Sequence, residues 1–464
     1  MPDSLGMTAD EMRAIGHSVV DLVVDHIEDL RQQPAISVAA PSALLSAARF
    51  GPVPMRPSPI DGLIHTLVTE LLPTMQHGDH PRYFARVPGP SSFTGVVGDW
   101  LATGFNAIAS SWGGGAGPSA IELVVVDWMR QLMGMPDCTE GLLLSGGSIA
   151  NLTALAAARS EIGEGAIYFS DQTHSCVAKA LHILGIPQSQ RRMIDTGSSL
   201  RLTGPMLAHA IETDRAQGIR PTVVVATAGS TNTGAIDDLQ AISALCQQHG
   251  LWLHIDGAYG GPARLSSRAA DQLVHTGAAD SMVIDPHKWF FQPYDVACLM
   301  VSRPGALERF YTMNPEYLAD VQADHLGEVD LRNRGPELTR RARAVKVWLT
   351  VATHGVHRIA EAVERGIELA EHAEQLLAAD DHWQIVTPAQ IGIVTFVRVG
   401  TGDRGHQMAA HEVTTSGFAA VTCTVLNGRQ VLRLCTINPQ TTNDDVADTI
   451  TRLAAQCDRF GDSG

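Results

Sequence analysis

The sequence predicts an α/β fold in which a mainly parallel central sheet is covered by helices, with a smaller C-terminal α+β domain. The first observation is that short β-branched or apolar runs alternate with helical stretches between about Gly89 and Met313, which is typical of a parallel sheet. These runs are GLLLS (141–145), AIYFS (166–170), TVVVAT (222–227), LWLHID (251–256), DSMVID (280–285) and VACLMVS (296–302). The second observation is a change of rhythm after Met313. A helical region, three strands and a final helix are predicted there, at 339–378, 391–399, 420–425, 430–436 and from about Thr442.

The predicted division is therefore an N-terminal segment and two domains, at residues 1–88, 89–313 and 314–464. The N-terminal segment begins with TADE at Thr8–Glu11, a capping box that predicts a helix start. Apolar residues then recur at helical spacing up to Pro34: Met12, Ile15, Val19, Leu22, Val23, Ile27 and Leu30. Because little of its own domain lies behind this helix, we expect its apolar face to pack on a partner subunit. Packing on its own chain is the alternative.

Composition favours an ordinary enzyme. The 464 residues are 45% hydrophobic and 18% charged, and the formal net charge is −16, so a basic surface for nucleic acid or an acidic membrane is not expected. The seven cysteines are scattered without metal-ligand spacing, which indicates reduced thiols and no metal site. Neither a signal peptide nor a membrane-length apolar run is evident, so a cytoplasmic location is expected.

Polar signals follow several predicted strands. A glycine-rich turn, Gly146–Ser148, leads from GLLLS into a helix and suits a phosphate, although such turns are often only N-caps. Asp256 ends the apolar strand LWLHID and requires a cationic or donor partner, or a proton. His174 follows AIYFS. Taken singly, Asp256 is equally a turn residue and His174 an ordinary satisfied polar side chain.

Lys288 gives these signals a common meaning. It follows DSMVID within DPHKWFF, so it is expected to meet Asp256 and His174 at the carboxyl edge of the sheet. A lysine in apolar surroundings has a lowered pKa and becomes a nucleophilic amine that can form a Schiff base. A lysine for the aldehyde, a glycine turn for the phosphate and a carboxylate for the ring nitrogen together indicate pyridoxal 5′-phosphate (PLP).

The motifs resemble the group II PLP-dependent amino-acid decarboxylases, which include the aromatic L-amino-acid and glutamate decarboxylases. The resemblance covers nearly the whole chain. Seven segments carry it: HPRYFARVPGPSSFTGVVGDWLATGFNAIASSW (80–112), GPSAIELVVVDWM (117–129), SGGSIANLTAL (145–155), SDQTHSCVAKA (170–180), ATAGSTNTGAIDDL (226–239), HIDGAYGG (254–261) and DPHKW (285–289). It implies the fold type I of PLP-dependent transferases and an obligate homodimer whose active sites lie between the subunits.

The resemblance also implies residue roles. Lys288 is expected to form the Schiff base and Asp256 to bind the pyridine nitrogen, with Ala258 against one ring face and His174 stacked on the other. Lys288, Asp256 and His174 are the predicted catalytic residues. The phosphate is expected to contact Gly147, Ser148 and His287, with Ser281 or Asp285 nearby. Thr231 is expected to approach the ring 3-oxygen.

One departure from the family concerns the proton donor. Family members carry a loop, DYRxWQIPLGRR, whose tyrosine protonates Cα, and the aligned stretch DLRNRGPELTRR (330–341) has Leu331 in its place. Leucine cannot transfer a proton. Either another group donates, or the reaction takes another course such as oxygen-dependent conversion to an aldehyde. The alternative donors are His174, His325 and Lys288, or Tyr311 and Tyr317 if the alignment shifts.

The second departure concerns the substrate. Arg86 in FARVPGPSS stands where aromatic decarboxylases have an aromatic residue, and an arginine fork suits a carboxylate or sulfinate. A surface pair with Asp79 or Asp99 is the alternative. The predicted substrate contacts are Arg86, Pro88, Trp112 and Arg341, with Arg340 and Arg343 as further anion binders or parts of a solvated helix start.

The predicted activity is decarboxylation of an aromatic or acidic L-amino acid to the amine and CO2. Oxidative deamination to an aldehyde, transamination and C–C cleavage are the alternatives on the same fold, and a cofactor-binding protein without catalysis is the alternative of another class.

Overall fold

The computed structural model describes residues 5–49, 51–313, 316 and 327–461. It contains two sheets and the helices that cover them. The strands are β1 Glu140–Leu144, β2 Ala166–Ser170, β3 Arg191–Ile194, β4 Pro221–Thr227, β5 Trp252–Asp256, β6 Ser281–Ile284, β7 Ala297–Val301, β8 Trp383–Gln390, β9 Ile393–Arg398, β10 Thr422–Leu426 and β11 Arg429–Cys435. The α-helices are α1 Ala9–Asp29, α2 Pro41–Ala47, α3 Ile60–Thr66, α4 Phe93–Gly104, α5 Trp112–Met133, α6 Gly147–Ile162, α7 Ser175–Ile183, α8 Gly204–Ala216, α9 Leu239–His249, α10 Ala270–Leu273, α11 Pro286–Trp289, α12 Ala306–Tyr311, α13 Ala344–Ala378, α14 Asp403–Thr415 and α15 Asn443–Phe460.

The large sheet has the strand order β1-β7-β6-β5-β4-β2-β3. β3, β2, β4, β5 and β6 are parallel, whereas β7 runs antiparallel to both β6 and β1. Helices α6, α7 and α12 pack on one face, and α5, α8 and α9 pack on the other. Burial on both faces explains why strands such as β4 read as continuous apolar runs. The predicted mainly parallel α/β fold is confirmed.

The small sheet is antiparallel, with the order β10-β11-β9-β8. Helices α13, α14 and α15 bury it together with Phe84. The sequence did not predict β3 or β8, and both are edge strands. β3 begins with two arginines and β8 contains Pro388, so neither has the apolar pattern by which a strand is recognised.

The terminal helices begin where local hydrogen bonding predicts. The capping box at Thr8 and Glu11 is present, because the Thr8 hydroxyl accepts from Glu11 N and the Glu11 carboxylate accepts from Thr8 N. A second capping box, formed by Thr442 and Asp445, starts α15. Among the described residues, no helix is both long enough and apolar enough to span a membrane.

The helical region predicted from residue 339 begins only at Ala344 and is interrupted at Gly355, whose φ is +71°. Arg340 is the reason for the later start, since it lies before the helix and its side chain is buried rather than part of a solvated helix. Its guanidinium donates to Glu122 Oε1 and to the Leu143 carbonyl, at 2.5 and 2.6 Å. These contacts bind Arg340 to α5 and β1 in the interior, where its guanidinium cannot reach a ligand. The prediction of Arg340 as an anion binder was therefore wrong.

Candidate active site

A cavity of about 340 Å³ lies at the carboxyl edge of the large sheet. β1, β2, β4, β5 and β6 all point their carboxyl ends to this edge, because β7 alone runs the other way. Eight of the predicted site residues line the cavity: Lys288, Asp256, Ala258, His174, Gly147, Ser148, Thr231 and His287. The topology therefore brings together residues that lie up to 141 positions apart in the sequence, from Gly147 to Lys288.

Lys288 lies in the short helix α11, which directly follows β6. Its Nζ is 2.9 Å from Asp285 Oδ2, and its side chain is 24% exposed. Burial opposes the ammonium charge, but the carboxylates of Asp285 and Asp256 outweigh burial and hold the pKa of Lys288 above its ordinary value. The sequence prediction of a lowered pKa was therefore wrong. The apolar neighbours in sequence are not the groups that surround Nζ.

Lys346 shows that a lowered pKa alone would have pointed to another lysine. Burial lowers the pKa of Lys346 despite its ion pair with Asp99. Its Nζ donates to Asp99 Oδ2 and the Pro293 carbonyl, at 3.0 and 2.8 Å. The cavity, rather than the pKa, identifies Lys288.

Asp256 ends β5 and is almost completely buried. Its Oδ1 accepts a hydrogen bond of 3.1 Å from the backbone N–H of Ala258. Burial raises the pKa of Asp256, and the nearby Lys288 offsets only part of that shift. A carboxylate in this position is stabilised by a cationic group on the cavity side.

The glycine-rich turn opens the helix α6. Gly146 is the N-cap and is extended, with φ 163° and ψ 167°. The first N–H groups of a helix have no intrahelical acceptor and carry the positive end of its dipole. A Cβ added at Gly147 would lie 2.9 Å from Asp285 Oδ2, so a side chain there would crowd the cavity. The turn is therefore suited to bind an anion.

The two histidines of the cavity carry their protons on Nε2. The Nδ1 atom of His287 accepts from Val296 N at 3.2 Å, and the Nδ1 atom of His174 accepts from Cys176 N at 3.3 Å. Burial lowers the pKa of His287, so this ring is neutral and its Nε2–H is a donor. His174 is exposed at the cavity mouth, where it caps the N-terminus of α7.

The cavity lining also contains residues that the sequence did not assign as contacts or left as an alternative, among them Asn151, Cys176, Thr227 and Asp285. Thr227 ends β4 directly beside Asp256, its registered partner on β5. Asp285 was an alternative to Ser281, and its position three residues before Lys288 is the signal that identifies it. Asn151 is one helical turn after Gly147, a spacing that places both on one face of α6.

Other predicted residues lie elsewhere. Ser281 begins β6 and pairs in register with His254, two residues before the cavity-lining Asp256 on β5. Its hydroxyl instead contacts Trp252 and His254 inside the sheet. The prediction of Ser281 as a phosphate contact was therefore wrong.

The predicted substrate contacts are also outside the cavity lining. Arg86 is exposed and donates to Gln76 rather than to Asp79 or Asp99. Arg341 is 45% exposed and pairs with Asp99, at 3.4 Å. The backbone N–H of Trp112 donates to Asp330 at the start of α5, and Pro88 is buried in the segment that precedes α4.

The position aligned with the loop tyrosine is not at the site. Leu331 is fully buried in the apolar cluster that packs on Leu142 and Leu144 of β1. Tyr311 donates its hydroxyl to the Thr153 carbonyl on α6. His325 and Tyr317 lie outside the described residues, whereas His174 and Lys288 line the cavity.

The cavity fits PLP in the number and kind of its polar groups. Thr227 Oγ1 and Asp285 Oδ1 are buried and have no hydrogen-bond partner within the described chain. Since buried polar atoms are normally paired, these two indicate where the polar groups of a ligand belong. With an amine at Lys288, a carboxylate at Asp256 and free N–H donors on α6, the donor set matches an aldehyde, a ring nitrogen and a phosphate.

Comparison with known proteins agrees with this chemistry. The profile of the pyridoxal-dependent decarboxylase conserved domain matches residues 50–399. The chain belongs to the pyridoxal-dependent decarboxylase family. It is 40% identical to an aromatic-L-amino-acid decarboxylase of Bacillus atrophaeus, over 98% of this chain and 97% of that protein. It is 30% identical to a phenylacetaldehyde synthase of Petunia hybrida, over 83% and 80% of the two chains.

Among solved structures, the crystal structure of Oryza sativa TDC with PLP and tryptamine has a TM-score of 0.92 to this decarboxylase. That likeness covers 98% of this chain and 99% of the other, at 27% identity. The predicted family, fold, PLP cofactor and carboxy-lyase activity are confirmed. The protein is a PLP-dependent amino-acid decarboxylase.

Proposed function

We propose that this decarboxylase acts on aromatic L-amino acids and releases CO2 and the corresponding amine. The observation that carries the proposal is the 40% identity, over nearly the full length, to a relative named aromatic-L-amino-acid decarboxylase. The places of the arginines support it. Arg86 is bonded to Gln76 and Arg341 to Asp99, so neither presents a free guanidinium fork to an acidic side chain.

The proposed residue roles rest on the cavity geometry. Bound PLP supplies an electron sink for the pair left on Cα when CO2 departs. Lys288 holds the cofactor through Nζ, and Asp285 Oδ2, at 2.9 Å, orients that amine. Asp256 keeps a proton on the ring nitrogen, and its burial strengthens this charge interaction. Ala258 packs on one face of the ring, and His174 covers the other from the cavity mouth.

The phosphate and proton roles follow in the same way. The N–H groups of Gly147 and Ser148 bind the phosphate with His287 Nε2, and Thr231 approaches the ring 3-oxygen. His174 Nε2 and Lys288 Nζ are the cavity-lining groups that can return a proton to Cα. His325 and Tyr317, which lie outside the described residues, are the remaining candidates for that step.

An amino-acid panel tests substrate and outcome together. We expect equal amounts of CO2 and amine from at least one of L-phenylalanine, L-tyrosine, L-tryptophan and L-DOPA, with the same yield when oxygen is removed. L-Glutamate, L-aspartate and cysteine sulfinate are expected to react at least about 100-fold more slowly, because the described residues that line the cavity include no arginine to hold their side chains. Headspace CO2 analysis with product mass spectrometry measures both.

Two results would contradict this proposal. Preference for an acidic amino acid would show that an arginine reaches the substrate from outside the described cavity lining. Oxygen-dependent formation of aldehyde, ammonia and peroxide would favour oxidative deamination, the second candidate. The 30% identity to a Petunia phenylacetaldehyde synthase is the observation that favours this candidate.

We also propose a homodimer, in which the N-terminal segment 1–88 packs on the partner and residues 89–313 and 314–464 form the two domains of each subunit. Within the described chain α1 contributes no buried residue, and Met12, Val20 and Val24 remain exposed on it. Such a face is stabilised by burial against another surface. The seven unpaired cysteines support a reducing compartment, and so the proposed cytoplasmic location.

Replacing Val20 by aspartate tests the dimer. The wild type is expected to have twice the 49.5 kDa mass of one chain, and Val20→Asp is expected to raise the dimer dissociation constant at least about tenfold, because it buries a charge. Light scattering after size exclusion, over a dilution series, measures this. Ser18→Asp adds the same charge on another side of α1 and is the control. A monomeric wild type, or equal effects of the two variants, would contradict the proposal.

A further inference from the structure

A chain of hydrogen bonds crosses the interior of the large sheet and ends at the glycine-rich turn. Trp252 Nε1 donates to Ser281 Oγ at 2.8 Å, and Ser281 Oγ lies 2.8 Å from His254 Nδ1. His254 Nε2 lies 2.7 Å from Asn151 Oδ1, and Asn151 Nδ2 donates to the Gly147 carbonyl at 2.8 Å. Trp252, Ser281 and His254 lie outside the cavity lining. Asn151 lines the cavity but has no role in the proposed chemistry.

The two ends of this chain determine its direction. An indole N–H only donates, and a backbone carbonyl only accepts. Ser281 therefore accepts from Trp252 and donates to His254 Nδ1, which leaves the His254 proton on Nε2 to be donated to Asn151 Oδ1. The Asn151 amide is then oriented with its NH2 group toward Gly147. Burial lowers the pKa of His254 to about 3, so the ring is neutral, as this arrangement requires.

The surroundings make this arrangement specific. His254 and Asn151 are both fully buried, and Val223, Val225 and the Trp252 ring belong to the same apolar core. In such a core an unpaired polar group costs free energy. The hydrogen-bond series in which every donor has an acceptor is therefore favoured, and it fixes the orientation of the Asn151 amide. His254 also lies two residues before Asp256, on the same face of β5. The chain thus couples the interior of the sheet to the turn that opens α6.

We propose that His254 is a positioning residue, which orients Asn151 so that Asn151 holds the Gly147 carbonyl and keeps the adjacent N–H groups directed at the phosphate of the cofactor. This inference rests on the proposed site, in which the Gly147 turn binds that phosphate. It assigns a function to a buried histidine that touches neither substrate nor cofactor. Its effect should therefore concern the phosphate and not the aldehyde or the ring.

Pyridoxal, which lacks the phosphate, makes the test specific. Apoprotein is titrated with PLP and with pyridoxal by equilibrium dialysis, and the ratio of the two dissociation constants is the measured quantity. His254→Phe keeps an aromatic ring but removes two hydrogen bonds from the series that ends at Gly147. It is expected to reduce the preference for PLP by about tenfold or more, which is the effect of losing one hydrogen bond to a charged group. Pyridoxal affinity should change less than twofold. His254→Gln, with one acceptor and one donor, should restore most of the preference.

Coupling to Asn151 is tested by a double-mutant cycle. Asn151→Ala should reduce the PLP preference, and adding His254→Phe should reduce it no further. Tyr168→Phe is the control, because it removes another buried hydrogen bond, to Asp214 on the opposite side of the sheet. It should leave the ratio unchanged. If His254→Phe does not fold, Ser281→Ala breaks the same chain, and the same loss of preference is expected.

The outcomes distinguish the position of the phosphate from the role of His254. A wild type that binds PLP and pyridoxal equally would overturn the placement of the phosphate at Gly147. A wild type that prefers PLP, with His254→Phe retaining the whole preference, would overturn only the role of His254. Equal losses for both ligands, or additive effects of His254→Phe and Asn151→Ala, would also overturn it.

Discussion

Lys288→Ala is expected to lower decarboxylation by at least about a thousandfold, because it removes the only amine that reaches the described cavity. The variant should also lose the visible absorbance of covalently bound cofactor. The fold should persist, since Lys288 is partly exposed to the cavity and its partner Asp285 can be solvated there. Rates of CO2 release and an absorption spectrum of the PLP-treated protein measure the two effects.

The chain itself offers the control for this experiment. It contains three lysines, at positions 179, 288 and 346. Lys179 is exposed on α7, and Lys346 is tied to Asp99. Borohydride reduction of the PLP-loaded wild type, followed by peptide mass mapping, should label Lys288 alone, and Lys179→Ala should retain full activity. Label on another lysine, or turnover by Lys288→Ala, would remove the basis of the proposed site.

The second large effect is expected at Asp256. Asp256→Asn keeps the size of the side chain but removes the charge that holds a proton on the ring nitrogen, so the rate should fall by about 100-fold to 10,000-fold. Because Lys288 and the α6 turn remain, the variant should still bind PLP, with a changed visible spectrum. Single-turnover rates and PLP stoichiometry distinguish loss of chemistry from loss of cofactor.

Asp214→Asn is the matched control for Asp256→Asn. Asp214 is equally buried, but it pairs with Arg192 and Tyr168 away from the cavity. The control should lower thermal stability while leaving the rate per bound PLP unchanged. An unchanged rate in Asp256→Asn would show that another carboxylate serves the ring nitrogen. Asp285 would then be the candidate, since it lines the same cavity.

Helix starts and most of the site were predictable, because the former depend on residues close in sequence and the site residues follow the ends of parallel strands. The capping boxes at Thr8 and Thr442 involve residues three apart, so the sequence contains all of their partners. Asp256 and Lys288 follow apolar strands, and the carboxyl ends of parallel strands share one edge of the sheet. Their convergence therefore needed only the topology, which the alternation of strands and helices indicates.

Three features required the folded chain. The apolar neighbours of Lys288 predicted a lowered pKa, whereas Asp285 at 2.9 Å raises it. Ser281 was predicted near the phosphate, but its hydroxyl bonds to Trp252 and His254 inside the sheet. Arg340 looks like a solvated helix start, yet it is buried against Glu122. In each case the property depends on which groups lie near the side chain in the folded protein, and the neighbouring residues in sequence do not show this.

By itself, then, the sequence determined the α/β class, the family, the cofactor and the residues at the strand ends, since these depend on periodicity and short motifs. Tertiary structure alone decided which charges meet Lys288, that hydrogen bonds link His254 through Asn151 to Gly147, and that α1 keeps an exposed apolar face. The physical reason is range. Periodicity acts over a few residues, whereas hydrogen bonds and charges act between atoms a few ångströms apart, whatever their separation along the chain.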